Sequence, residues 1–130
     1  MSTNTPSEEL RDAICDGHVE RLESLLADGA DPNYVDEESG WALLLWAVKT
    51  NSPAALAILL AHGANVNVGD STGNTGLHKA AYLGHAECVK LLLSHGADPR
   101  LENKMHQTAF DLASLFDKPE TSSLLTSSTI

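Results

Sequence analysis

DSTGNTGLHKAAYLGHAECVKLLLSHGADPRLE, residues 70–102, decides the architecture, because its neighbours on both sides are variants of it. The preceding stretch, EESGWALLLWAVKTNSPAALAILLAHGANVNVG, covers residues 37–69. A shift of 33 residues sets Gly40 on Gly73, Leu44 on Leu77, Ala47 on Ala80 and Leu59–Ala64 on Leu92–Ala97. A further 33 residues on, Thr108, Phe110, Ala113 and Glu120 answer Thr75, Leu77, Ala80 and Glu87. A shift of 34 in the other direction matches Leu22, Leu25, Gly29-Ala30-Asp31 and Asn33 to Leu56, Leu59, Gly63-Ala64-Asn65 and Asn67. The extra residue falls in acidic Asp36–Ser39, where a surface loop absorbs it at little cost. The chain therefore reads as four units, about 7–36, 37–69, 70–102 and 103–126. Residues 1–6 are expected to form a disordered tail and 127–130 a frayed one.

Each unit reads as helix, tight turn, helix and loop. Thr75 is placed to cap a helix running to about Leu83, and Gly84 suits the left-handed position that ends it. A second helix is expected from His85-Ala86-Glu87 to Ser94, with Gly96 and Ala97-Asp98-Pro99 stopping it. In the second unit, Ser52-Pro53 marks a helix start, with Ser as the cap and Pro at the first helical position. Val89, Leu92 and Leu93 show the three- and four-residue spacing of an apolar helix face. One such hairpin leaves apolar surface uncovered, and stacked neighbours cover it. Terminal units need polar outer faces. Asp12, Asp16, Glu20, Arg21 and Glu23 supply one at the start, and Thr121, Ser122, Ser123 and Thr126 another at the end.

The 130 residues carry 18 acidic and 8 basic side chains, a net charge of −10. That sign is wrong for a general nucleic-acid or anionic-membrane binder. No apolar run approaches a membrane span, and the polar, acidic start resembles neither a signal nor a transit peptide. Two cysteines make no disulfide framework, which points to a reducing, cytoplasmic or nuclear compartment. The charge is lopsided: residues 1–40 hold 11 acids and 2 bases, residues 41–130 hold 7 acids and 6 bases. The acidic end serves either as a solvated cap or to steer a basic partner toward Asp36-Glu37-Glu38 and Trp41.

The third unit resembles an ankyrin repeat, with Asp70-x-x-Gly73-x-Thr75-Gly76-Leu77-His78 and Gly84-His85-x-Glu87-x-Val89 in the family's order. Gly76 stands where the family usually has proline, and the second unit carries Ala42 for the threonine, Leu45 for the histidine and Asn51-Ser52 for Gly-His. In size and four-unit plan the chain is similar to small four-repeat members of that family. The resemblance implies an all-α solenoid of stacked helix-turn-helix units with short hairpin-like loops. It implies a non-catalytic module that binds another protein through a concave face, as inhibitor or scaffold. The alternative is a substrate-adaptor or regulatory domain of a larger enzyme complex. It also implies that His78 bonds the neighbouring loop, and that Asn33 and Asn67 are possible substrates of an asparaginyl hydroxylase. Turn chemistry, in which asparagine bonds its own backbone, is the plainer role for both.

Other motifs dissolve into the repeat. His85-Ala86-Glu87 matches the H-x-E of zinc deaminases, but Cys15 and Cys88 are 73 residues apart and provide no P-C-x-x-C. The histidines lack metal-site spacing; His62 and His95 recur at helix ends. Phosphate loops, dinucleotide fingerprints and nucleophile elbows do not occur in the sequence. No enzyme activity, cofactor or metal is expected. Cys15 is expected to face outward, its thiol blunted by Asp12 and Asp16.

Partner-binding residues are sought where the fold does not need the side chain. In the third unit those positions are Ser71, Thr72, Asn74, Tyr82 and Leu83, and the register carries them to Glu38, Trp41 and Lys49 in the second unit. In the fourth it carries them to Lys104, Met105, Gln107, Leu115 and Phe116. Aromatic and apolar side chains at water-facing positions mark an interface. The partner-binding set is therefore Glu38, Trp41, Lys49, Asn74, Tyr82, Leu83, Met105, Gln107 and Phe116, on a monomer. Trp46 falls where leucine is usual and is expected in the core.

Overall fold

The computed structural model describes residues 6–128, so the expected tails fall largely outside it. Eight helices follow in order: α1 (Pro6–Cys15), α2 (Val19–Ala27), α3 (Leu43–Lys49), α4 (Pro53–Ala61), α5 (Gly76–Leu83), α6 (Ala86–Ser94), α7 (Ala109–Leu115) and α8 (Pro119–Ser128). Ser127 and Ser128, expected to fray, belong to α8. Odd-numbered helices stack as one row and even-numbered helices as a second, each unit joining one of each. Isolated antiparallel bridges, Val35 to Ala42 and Gly69 to Thr75, shape the connecting loops. The chain is an all-α stack, as the repeat register requires.

The helix boundaries follow from local chemistry. Thr75 caps α5 by accepting from the His78 N–H, and His78 Nδ1 accepts the Thr75 N–H in return. Thr108 and Asp111 repeat that box on α7. Gly84 ends α5 in the left-handed region at φ 77°. Asn51 and Asp117 take the same conformation at the matching positions of the second and fourth units. Ser52 sits at the cap of α4, but its side chain makes no cap hydrogen bond, so Pro53 carries that start.

The core runs the length of the stack between the rows. Ala13, Ala47, Ala80 and Ala113, one per unit, are all buried and let adjacent odd-numbered helices approach closely. Leu22, Leu56 and Val89 fill the second row. Gly76 is explained by this packing: a Cβ there would lie 2.6 Å from Cδ2 of Leu44 in the preceding unit. Leucine at 44 and glycine at 76 are one complementary choice.

Adding that methyl gains up to about 1 kcal/mol of helix propensity, but displacing Leu44 costs ~1–3 kcal/mol. Gly76→Ala is therefore expected to lower the urea midpoint of the wild-type chain and to raise it in a Leu44→Ala background. The same sign in both backgrounds would contradict the packing explanation.

Candidate functional site

The loop that opens each repeat is built around one inward polar residue: Asp36, Asp70 and Asn103, related by shifts of 34 and 33. Asp36 accepts from the Ser39 N–H and hydroxyl, and Asp70 from the N–H groups of Thr72 and Asn74. Asn103 Oδ1 accepts from Met105 and Gln107. Both carboxylates then take a cation. Arg11 reaches Asp36 at 3.1 Å, and Lys79 reaches Asp70 at 2.8 Å. Burial pushes the Asp70 carboxyl up, but the hydrogen bonds from Lys79 and Thr72 outweigh it and hold the pKa at about 2.

Lys79 is almost fully buried, and its ammonium lies 4.0 Å from the centroid of the Trp41 ring. Trp41 packs on Trp46 at 4.9 Å, with Lys49 Nζ 5.2 Å from Trp41 and 5.7 Å from Trp46. This corrects three expectations. Trp41 is not a free side chain at a wet loop tip but is half-buried as a wall of the Lys79 site. Trp46 is not a core residue; it is half-buried, with its indole nitrogen buried and unpaired. Asp36 is turned inward and occupied by Arg11 and Ser39, leaving Glu37 and Glu38 as the exposed acids of that loop. The Trp41–Lys79–Asp70 contact replaces what the second unit lost with Ala42 and Leu45, neither of which reaches the next loop by a hydrogen bond.

Between the third and fourth units that bond is present. His78 Nε2 lies 2.9 Å from the Gln107 carbonyl, the role expected of it. Burial lowers the His78 pKa, and the Gln107 hydrogen bond works against that. The Lys104 N–H donates to the Thr72 carbonyl, bringing the loops so close that a Cβ on Gly73 (φ +81°) would meet Lys104 N at 3.0 Å. The Thr121 hydroxyl donates to the Ala81 carbonyl between the two helix rows.

A groove of about 650 Å³ opens across this junction. Five of the expected partner residues line it: Asn74, Tyr82, Met105, Gln107 and Phe116. Tyr82 and Phe116 pack with ring centroids 5.4 Å apart, forming its aromatic wall. Met105, Leu115 and Phe116 are 75%, 66% and 51% exposed, an unusual grouping of large apolar side chains in water. Glu38, Trp41, Lys49 and Leu83 do not line it. Leu112 and Asn103 line it unexpectedly. The signal for Asn103 was the register, which sets it on Asp70.

Asn33 and Asn67 also differ from expectation. Their side chains do not bond their own backbone. Asn33 Oδ1 accepts from the Asn65 N–H and its Nδ2 donates to the Gly63 carbonyl, while Asn67 Oδ1 accepts from the Asp98 N–H. The local turns belong instead to Asp31, Asn65 and Asp98. Cys15 and Cys88 are free, and Cys15 is exposed as expected. Burial is the largest cause raising the Cys15 pKa, with Asp12 and Asp16 adding to it and Arg11 opposing. Among the described residues no group of three or more His, Cys, Asp or Glu side chains is arranged to hold a metal, and no helix is long and apolar enough to cross a membrane.

A family model for ankyrin repeats in three copies matches residues 10–103 and 69–128. The chain belongs to the ankyrin-repeat family. The mouse B-cell lymphoma 3 protein homolog is 39% identical over 101 residues, covering 78% of this chain and 22% of its own. A putative ankyrin repeat-containing protein of Treponema pallidum is 32% identical over 107 residues, covering 82% of this chain and 36% of its own. A probable E3 ubiquitin-protein ligase of rice, XBOS34, is 37% identical over 100 residues, covering 75% and 19%. The chain thus spans about a third or less of the length of these relatives. Ankyrin repeats are generally protein–protein interaction modules, and the family is generally non-catalytic.

Asp70→Asn keeps the shape of the loop but strands a buried ammonium, an expected cost of ~3–5 kcal/mol in urea unfolding at neutral pH. Replacing Lys79 by Met as well is expected to recover most of it. Because the folded-state pKa is depressed, the Asp70 contribution is complete above about pH 4 and is lost as pH falls through about 2. The double variant should lack that part of the acid slope.

Proposed function

We propose that the array is a non-catalytic docking module whose groove between the third and fourth repeats receives a segment of a partner protein. Holding that segment makes it an inhibitor or a scaffold: the partner is blocked from, or brought to, something else. The supporting observation is that five side chains chosen for being unneeded by the fold converge on one groove with an exposed aromatic and aliphatic wall. Buried aromatic anchors dominate binding energy at such sites. The chain works as a monomer on this reading, and its free Cys15 and Cys88 fit a reducing cytoplasmic or nuclear setting.

The acidic first repeat has a separate part. Exposed charges act over roughly one Debye length, ~8 Å at physiological salt, so Glu37 and Glu38 affect the approach of a partner with a basic surface rather than contact in the groove. A second reading rests on chain length. The relatives are several times longer, and one is named a probable E3 ubiquitin-protein ligase. That favours a substrate-adaptor or regulatory role within a larger enzyme assembly.

A photo-crosslinking residue in place of Met105, introduced in cells, is expected to yield a discrete protein adduct. The adduct should be lost on adding Tyr82→Ala and Phe116→Ala, and absent when the crosslinker replaces Lys90 on α6. The same adduct from both positions, or one indifferent to Tyr82 and Phe116, would remove the groove from the binding surface.

A further inference from the structure

The polar end of the groove has a fixed hydrogen-bonding sense. Asn103 Oδ1 accepts two backbone N–H groups, from Met105 at 2.9 Å and Gln107 at 3.0 Å. Backbone N–H groups only donate, so the atom they meet is oxygen, and the other atom of that amide is the NH2. Asn103 Nδ2 then donates to Asn74 Oδ1 at 2.9 Å and to Gln107 Oε1 at 3.0 Å. Both neighbouring amides are oriented in turn. Their oxygens face Asn103, and what remains is Asn74 Nδ2 and Gln107 Nε2, each without a hydrogen-bond partner among the described residues. Lys104 lines the same groove, exposed and without an ion pair among the described residues. It is the only charged residue of the lining. Asp36 and Asp70, which hold the place of Asn103 in the other loops, are each matched by a buried or half-buried cation.

We infer that the groove selects a partner segment in which an Asp or Glu side chain stands next to an aromatic or aliphatic anchor. The proposal rests on the docking reading above and adds the chemistry of the occupant. The carboxylate would accept from Asn74 Nδ2, Gln107 Nε2 and Lys104 Nζ, a donor-only set that offers an amine nothing. The anchor would enter between Tyr82, Phe116, Leu112 and Met105. The chain as a whole carries net −10, so this is a local inversion of charge at the point of contact.

The test is selection of a phage-displayed random peptide library on the immobilised full chain, run in parallel on Lys104→Glu and on Tyr82→Ala/Phe116→Ala. Helicity by circular dichroism serves as the control that these surface variants are folded. Wild type is expected to enrich peptides with Asp or Glu within two residues of an aromatic or Leu. Lys104→Glu should select Lys or Arg at that place. A wild-type peptide, synthesised and labelled, should bind Lys104→Glu about tenfold more weakly by fluorescence anisotropy. Peptides lost from the Tyr82/Phe116 variant but showing no acidic preference, or bound equally by Lys104→Glu, would overturn the inference and leave the docking groove standing. Enrichment unaffected by the Tyr82/Phe116 variant, or no enrichment at all, would overturn both.

Discussion

The structure depends on the fact that one helix pair cannot cover its own apolar face. Each repeat solves this with its neighbour, and the close approach this needs is set by a single alanine per unit at 13, 47, 80 and 113. A larger side chain at these places would separate the odd-numbered helices and open the core along its length. Other departures from regularity are adjustments to this constraint. Gly76 makes room for Leu44, and the terminal α8 closes the stack with fully buried Leu125 and Thr121.

The loops then couple the units by polar means, and they do it differently at each junction. Between the first two, Arg11 meets Asp36 and Glu23 meets His62. Between the second and third, a buried lysine is shared by Asp70 and the face of Trp41. Between the third and fourth, neutral amides replace the ion pair, because Asn103 stands where the other loops have aspartate. That one change has two results. No cation is needed to neutralise a buried carboxylate, and the donors left over point to a groove walled by Tyr82 and Phe116. The position that holds the loop together thereby also sets the chemistry offered to a partner.

Much of this was legible in the residues. The 33-residue register located every unit, Thr75 and Gly84 bounded α5, and His78 bonded the loop expected of it. The residues that failed did so for one reason: their role is set by a neighbour distant in sequence. Trp41 in a polar stretch reads as exposed until Lys79, 38 positions later, is seen beneath it. Nothing in the apolar pattern of α5 announces that its lysine points inward, and Asp36 reads as one more acid of an acidic loop until Arg11 is in place. Asn33 and Asn67 look like ordinary turn residues, whereas their carboxamides tie one loop to the next. Asn103 was within reach, since the register alone sets it on Asp70.

The orientation of the three amides is the central claim, and exchange of side-chain amide protons followed by NMR tests it most directly. The Asn103 NH2, donating to two oxygens, is expected to exchange markedly more slowly than the NH2 groups of Asn74 and Gln107. Exchange of Asn103 as fast as the other two would contradict the network and with it the donor-only groove.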